Sequence, residues 1–126
     1  MDNASFAPML VIRHSVFNID FYTKGLDAIE LRRFSNDDGS IHVSELAING
    51  TMFHLHEEGH GTRSPLDLHG VTSVVGLFVD DVDAVMQTAL SNGAVEHSPV
   101  QDYDYGYRQG EFTDPFGHRW QIQKAI

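Results

Sequence analysis

Imidazoles, carboxylates and phenols are the groups of this chain that could do chemistry. His54, His56 and His60 form a His-x-His-x-x-x-His run. Imidazoles one residue apart share a face of an extended strand, a geometry open to metal binding or to hydrogen bonding with a ligand. Glu45 lies between Ser44 and Leu46 in a strand-like stretch. Facing a pocket, it would be partly buried, its pKa would rise, and it would become a candidate general base; paired with Arg32 or Arg33 it would be structural. Tyr103, Tyr105 and Tyr107 alternate just before Arg108. Such a run combines broad amphipathic rings with a planar fork suited to a carboxylate or phosphate, or it is a loop in which Arg108 pairs with Asp102, Asp104 or Asp114. The remaining histidines, His14, His42, His69, His97 and His118, are scattered. No Gly-x-Ser-x-Gly run is present.

Two sets of elements must position these groups. Met9-Leu10-Val11-Ile12 reads as a first strand, and Ser15 to Tyr22 as a helix capped by Ser15 and ended by Gly25. Ala28 to Phe34, Ile41 to Ile48 and Thr51 to His56 read as strands, the last two joined at Asn49-Gly50, a strong hairpin signal. Residues 58–70 are polar, contain Pro65 and read as a linker. Val74 to Val79 then opens a second cycle. Asp80 or Asp81 caps a helix with apolar positions Val82, Val85, Met86 and Ala89, which stops at Asn92-Gly93. The strands Ala94 to Val100, Tyr107 to Thr113 and His118 to Gln123 follow, with Asp114-Pro115-Phe116-Gly117 fitting a type I turn.

The order β-α-β-β-β therefore occurs twice, in modules of about 7–57 and 71–126 within a single domain of residues 1–126. Gly50-Thr51-Met52-Phe53-His54-Leu55-His56 lies over Gly117-His118-Arg119-Trp120-Gln121-Ile122-Gln123. Alternation puts Phe53 and Leu55 on one face and His54 and His56 on the other, and separates Trp120 and Ile122 from Gln121 and Gln123 in the same way.

Composition narrows the function classes. The 126 residues are 41% hydrophobic and 21% charged, which suits one globular α+β domain. Eight basic and 18 acidic residues give a net charge of −10, which argues against nucleic acid and anionic lipid as partners. The absence of cysteine removes thiol catalysis and disulfide scaffolds and fits a cytoplasmic protein. Met1 to Ser5 has no basic segment of the secretory kind, and no apolar run is long enough to span a membrane.

The repeat, with Ile19-Asp20-Phe21-Tyr22 and Gly25, Phe78-Val79-Asp80-Asp81-Val82-Asp83-Ala84-Val85, and Phe112-Thr113-Asp114-Pro115-Phe116-Gly117-His118-Arg119-Trp120, resembles the vicinal oxygen chelate superfamily. This is the glyoxalase, bleomycin-resistance and extradiol dioxygenase group, and the chain looks most like its PhnB-like branch. The resemblance implies two tandem βαβββ modules forming an open, pseudo-symmetric barrel-like sheet around a cavity, and a homodimer. It implies a small-molecule ligand, with Met9, Val11, His54, His56, Phe78 and Gln121 lining the cavity. It puts Tyr105, Tyr107 and Arg108 at the mouth. Metal-dependent members hold a divalent ion on the first and last strands of each module. Those positions fall near Ala7, at His54, near Val74 and at Gln121. Ser5 to Ile12 and Val71 to Val79 contain no His, Asp or Glu, so the expectation is a metal-independent binding protein with no cofactor. The alternatives are a divalent-metal-dependent lyase, isomerase or dioxygenase with a rearranged site around His54, His56, Gln121 and Glu45, and an antibiotic-sequestering protein.

Overall fold

The computed structural model describes residues 3–126; Met1 and Asp2, part of the N-terminal stretch read above, lie outside the described residues. Two four-stranded sheets carry the fold. Sheet one runs in the order β1 (Met9–Ile12), β4 (Thr51–Glu57), β3 (Ile41–Ile48), β2 (Ile29–Ser35). Sheet two repeats that order with β5 (Val74–Phe78), β8 (Arg119–Ala125), β7 (Tyr107–Thr113) and β6 (Val95–Tyr103). In each, the first strand pairs parallel with the last and every other pairing is antiparallel. The sheets are open, and no strand of one hydrogen-bonds to a strand of the other.

Alternation decides what each face does. Phe53, Leu55, Trp120 and Ile122 are all buried, and their neighbours His54, His56, Gln121 and Gln123 are half-buried on the opposite faces. Burial of each such apolar side chain is worth about 1.5–3 kcal/mol. The two inward faces share one core. The Phe53 and Trp120 rings meet edge-on at 5.6 Å, Tyr22 stacks on Phe116 at 5.5 Å, and Phe21 meets Phe112 at 5.8 Å. Helix α2 (Val82–Ser91) covers sheet two with Val82, Met86 and Ala89, and Asp81 caps it by accepting the Ala84 N–H at 3.0 Å.

The first module departs from the expected helix over Ser15–Tyr22. Ser15 has a left-handed backbone (φ 62°) and does not cap, and the Val16 carbonyl is taken by the Ile41 N–H at 2.8 Å. That bond ties the segment to the sheet, and only one π-helical turn, Phe21–Gly25, follows. A side chain at Gly25 would meet the Phe21 ring at 3.1 Å and Asn92 at 3.2 Å, so glycine permits the close approach of α2.

The linker is not wholly irregular. Ser64 caps a short helix α1 (Pro65–Leu68), and Arg13 Nε donates to Asp67 at 3.0 Å. The sixth strand extends to Tyr103, three residues beyond the expected Val100, so the tyrosines flank a tight turn at its end.

Candidate functional site

The candidate residues of module one come together on the open face of sheet one, opposite the core. Strand register aligns Met9, His54, Glu45 and Arg32 in one row, and Val11, His56, Val43 and Phe34 in the next. His54 and His56 stack with ring centroids 5.5 Å apart, and His54 Nδ1 lies 3.3 Å from His56 Nε2. Burial, then the neighbouring His54 and His42, hold the His56 pKa below its ordinary value of 6.5, against an opposing pull from Glu45. His56 is thus a neutral imidazole near pH 7, able to donate and accept hydrogen bonds. Glu45 Oε2 accepts from Arg32 Nη2 at 3.1 Å, the structural pairing weighed above.

The open face of sheet two has a different chemistry. One row carries Phe78, Gln123, Gln109 and Gln101, and the next Gly76, Gln121, Glu111 and Ser98. The amides are linked: Tyr105 Oη donates to Gln109 Oε1 at 2.5 Å, and Gln109 Nε2 donates to Gln123 Oε1 at 2.8 Å. Aromatic rings close one end, with Tyr103 stacked on Tyr105 at 5.3 Å, Tyr105 tilted against Tyr107 at 6.0 Å, and Phe78 against Tyr107 at 6.1 Å. Ring faces beside oriented amides can bind an apolar or aromatic body and fix its orientation.

Arg108 stands apart from these residues. It alternates with Tyr107 and Gln109, so it points to the helix-covered side. There its guanidinium donates to Asp83 from Nε and Nη2 and to Asp102 from Nη1, each at 2.9 Å. These bonds clamp the start of α2 to the β6–β7 hairpin and hold Asp83 below the usual carboxylate range. The pairing with Asp102 was one of the two readings open from sequence; the placement beside Tyr105 and Tyr107 on one surface is not what the structure has.

The candidates of the two modules occupy two separate open faces, because the inward faces are used up on the shared core. Phe78 also lines a cavity of about 970 Å³ between the modules, with Ile29, Ile48 and Thr51 of sheet one and Leu77 and Lys124 of sheet two; His54, His56, Gln121, Tyr105 and Tyr107 do not line it.

The superfamily's divalent metal can be tested against the donors present. On the open face, β1 presents Met9 and Val11, and β5 presents Val74, Gly76 and Phe78. None is a metal donor of the hard or borderline kind. His54 and Gln121 stand on different sheets, and no group of three His, Asp or Glu side chains is arranged to hold an ion among the described residues. A catalytic site needs about three protein ligands, so this donor set does not fit one.

Gln109, Glu111, Arg119 and Gln123 are open-face residues that were not among the site candidates read from sequence. The signal was available, because alternation from Gln121 places Arg119 and Gln123 on its face, and alternation from Tyr107 does the same for Gln109 and Glu111.

Residues 11–122 match the Glyoxalase/Bleomycin resistance protein/Dioxygenase superfamily, and the chain belongs to it. It is similar to the uncharacterized protein Rv0887c of Mycobacterium tuberculosis, at 35% identity over 97% of this chain and 75% of that protein. Among solved structures, the Arabidopsis thaliana product of AT5G48480 is 24% identical with a TM-score of 0.70, covering 98% of this chain and all of that one (100%). FosX of Listeria monocytogenes, a fosfomycin resistance protein, is 15% identical with a TM-score of 0.71, covering 100% of this chain and 96% of that one. A FosX variant has been crystallised with Mn(II). No helix among the described residues is long and apolar enough to cross a membrane.

Proposed function

We propose that the chain is a small-molecule-binding protein of this superfamily that works without the superfamily's metal, as a cytoplasmic homodimer of the PhnB-like branch. One observation carries the reading: the first strand of each module presents Met9 and Val11, or Val74, Gly76 and Phe78, where a metal-dependent member needs donors. The open faces combine apolar side chains, Met9, Val11 and Phe78, with polar groups held in place by one another, a mixture that can seat and orient a ligand. His54 and His56 supply one polar set, and Gln121, on the same face as Tyr107 and one row from the Gln109–Gln123 pair that Tyr105 bonds, supplies the other.

The homodimer is supported by exposure. Met9 is 59% and Phe78 63% exposed in the single chain, on the edge strands of faces that also carry the candidate polar groups. A second copy would cover such apolar surface and turn two open walls into enclosed space. The branch is supported by Gly106-Tyr107-Arg108 ahead of the Asp114 turn, and the cytoplasm by the lack of cysteine.

Elemental analysis of the purified protein, followed by calorimetric titration with manganese and zinc, tests the reading. The expected result is no stoichiometric ion. One ion per chain, lost in His54→Ala, would instead establish the metal-dependent alternative.

A further inference from the structure

The structure assigns to Arg119 a pocket for a small oxyanion, the carboxylate or phosphate group of a ligand. β8 places Arg119 on the open face of sheet two, between Val74 and Thr113. Its Nε is buried and has no hydrogen-bond partner among the described residues. A cavity of about 260 Å³ is lined by Arg119 and Thr113 on the sheet side, and by Leu66 and His69 of the linker, with Val71 just after it, on the other.

The linker wall is held without help from a ligand. A side chain at Gly117 would come within 2.9 Å of Pro65 Cβ and 3.2 Å of the Leu66 nitrogen, so α1 packs directly on the Asp114–Gly117 turn. The Arg13–Asp67 ion pair at 2.9 Å fastens it from the far side.

Charge accounting leaves Arg119 uncommitted along with Arg63 and Lys124, and of these three only Arg119 holds a buried donor without an acceptor among the described residues. The chain has 18 acidic residues for 8 basic ones. Arg13, Arg32, Arg33 and Arg108 each take a carboxylate. Arg119 forms no ion pair among the described residues. The linker carboxylates are committed elsewhere, Asp67 to Arg13 and Glu58 to the Ser64 N–H at 2.8 Å. Glu111, diagonal to Arg119 across β7 and β8, is the nearest carboxylate in the register and does not pair with it. A charged N–H donor buried without an acceptor is costly, and an oxyanion entering the cavity would recover that cost through a planar, charge-assisted contact. Thr113, which carries a hydroxyl, lines the same cavity.

Arg119 stands one open-face position from Gln121, so an oxyanion seated there can be the head of a ligand lying along sheet two. The pocket itself does not depend on the small-molecule reading above: free phosphate would bind whether or not the open faces take anything larger.

The test follows the Arg119 Nε–H resonance in 15N-labelled protein during titration with inorganic phosphate and, separately, acetate, with sodium chloride at matched ionic strength as control. The expected result is a saturable shift with either oxyanion, absent with chloride. Arg119→Met should weaken phosphate binding by more than about tenfold, as loss of a charge-assisted contact requires. The proposal is overturned if chloride and both oxyanions move the resonance alike, or if Arg119→Met binds phosphate as the wild type does. It also fails if Glu111→Gln shifts the resonance without phosphate while both oxyanions leave the wild type unmoved, because Arg119 would then be paired with Glu111 in solution. Should Arg119→Met not fold, the wild-type titration decides alone.

Discussion

Tyr22 Oη donates a hydrogen bond to Asp114 Oδ2 at 2.6 Å in the core, across 92 residues of sequence. The bond joins the π-helical turn of module one to the last hairpin of module two. The same carboxylate accepts from Trp120 Nε1 at 2.9 Å, from the Phe116 N–H at 2.8 Å and from the His118 N–H at 3.0 Å. Four donors thus converge on one buried carboxylate, and two modules that share no strand pairing are fixed to one another by a fully satisfied polar centre.

Tyr22→Phe leaves the other three donors in place and should cost about 1–3 kcal/mol. Asp114→Ala orphans all four and should cost about 3 kcal/mol or more. Urea unfolding followed by Trp120 fluorescence gives both values. Equal and negligible costs would mean that the modules are held by apolar packing alone.

The same pair sets an alkaline limit. Burial, then the Asp114 charge and hydrogen bond, keep the Tyr22 pKa well above its ordinary 10.0. The unfolded chain therefore loses this proton near pH 10 while the folded chain keeps it. The contribution is complete below pH 10 and declines as pH rises beyond it. Stability measured against pH should fall on the alkaline side in the wild type, and less steeply in Tyr22→Phe.

Glu57 gives a corresponding acid limit. Hydrogen bonds from His14, Asn36 and His42 hold its pKa at about 2, with His14 raised above 6.5 in return; Asp38 and Glu58 are the other charged neighbours of the cluster. The Glu57 contribution is present above the ordinary carboxylate range and is lost as pH falls toward 2. The His14 contribution is present below pH 6.5 and is lost as pH rises through its raised pKa. In Glu57→Gln, the His14 titration followed by NMR should move back toward 6.5. A His14 pKa unchanged in that variant would remove Glu57 as its partner.

Much of this was legible in the sequence because period-two alternation is a local property. It separated Phe53 and Leu55 from His54 and His56, and Trp120 from Gln121, and the structure has each on the expected face. The spacing of Val82, Met86 and Ala89 marked helix α2 for the same reason. The helix expected over Ser15–Tyr22 was not legible, because it is decided by the Val16 carbonyl bonding Ile41, a contact between distant residues. Arg108 does not share a surface with Tyr105 and Tyr107, because alternation along β7 turns it to the helix-covered side, where it bonds Asp83. How the open faces lie relative to each other depends on which faces share the core, and no local pattern reports that.

The two-carboxylate clamp on Arg108 predicts a structural phenotype. In Arg108→Gln, the Asp83 carboxyl should titrate closer to its ordinary value, and amide exchange around the Tyr103–Tyr107 turn should quicken as the hairpin loosens from α2. Oxyanion binding at Arg119 should be unaffected, because Arg108 faces the other side of the sheet. NMR titration and hydrogen exchange read the first two. Unchanged exchange with weakened oxyanion binding would place Arg108 in the binding surface instead.

His56 supplies the pH dependence of the open face of sheet one. Its lowered pKa has burial as the first cause and the neighbouring His54 as the second. His54→Ala should therefore raise the His56 pKa only part of the way to 6.5, since the desolvation remains. Complete recovery would make charge repulsion from His54 the governing cause and would leave burial without effect. The folded chain resists protonation at His56 while the unfolded chain accepts it, so this contribution to stability is present above pH 6.5 and declines as pH falls through the lowered value. Over that interval His56 loses its hydrogen-bond acceptor and gains a positive charge. A neutral ligand that donates a hydrogen bond to the pair should bind less well on acidification, and an anionic one better. Affinity measured from pH 7.5 down to pH 5.5, a range bracketing the imidazole transition, shows which kind of ligand this wall receives.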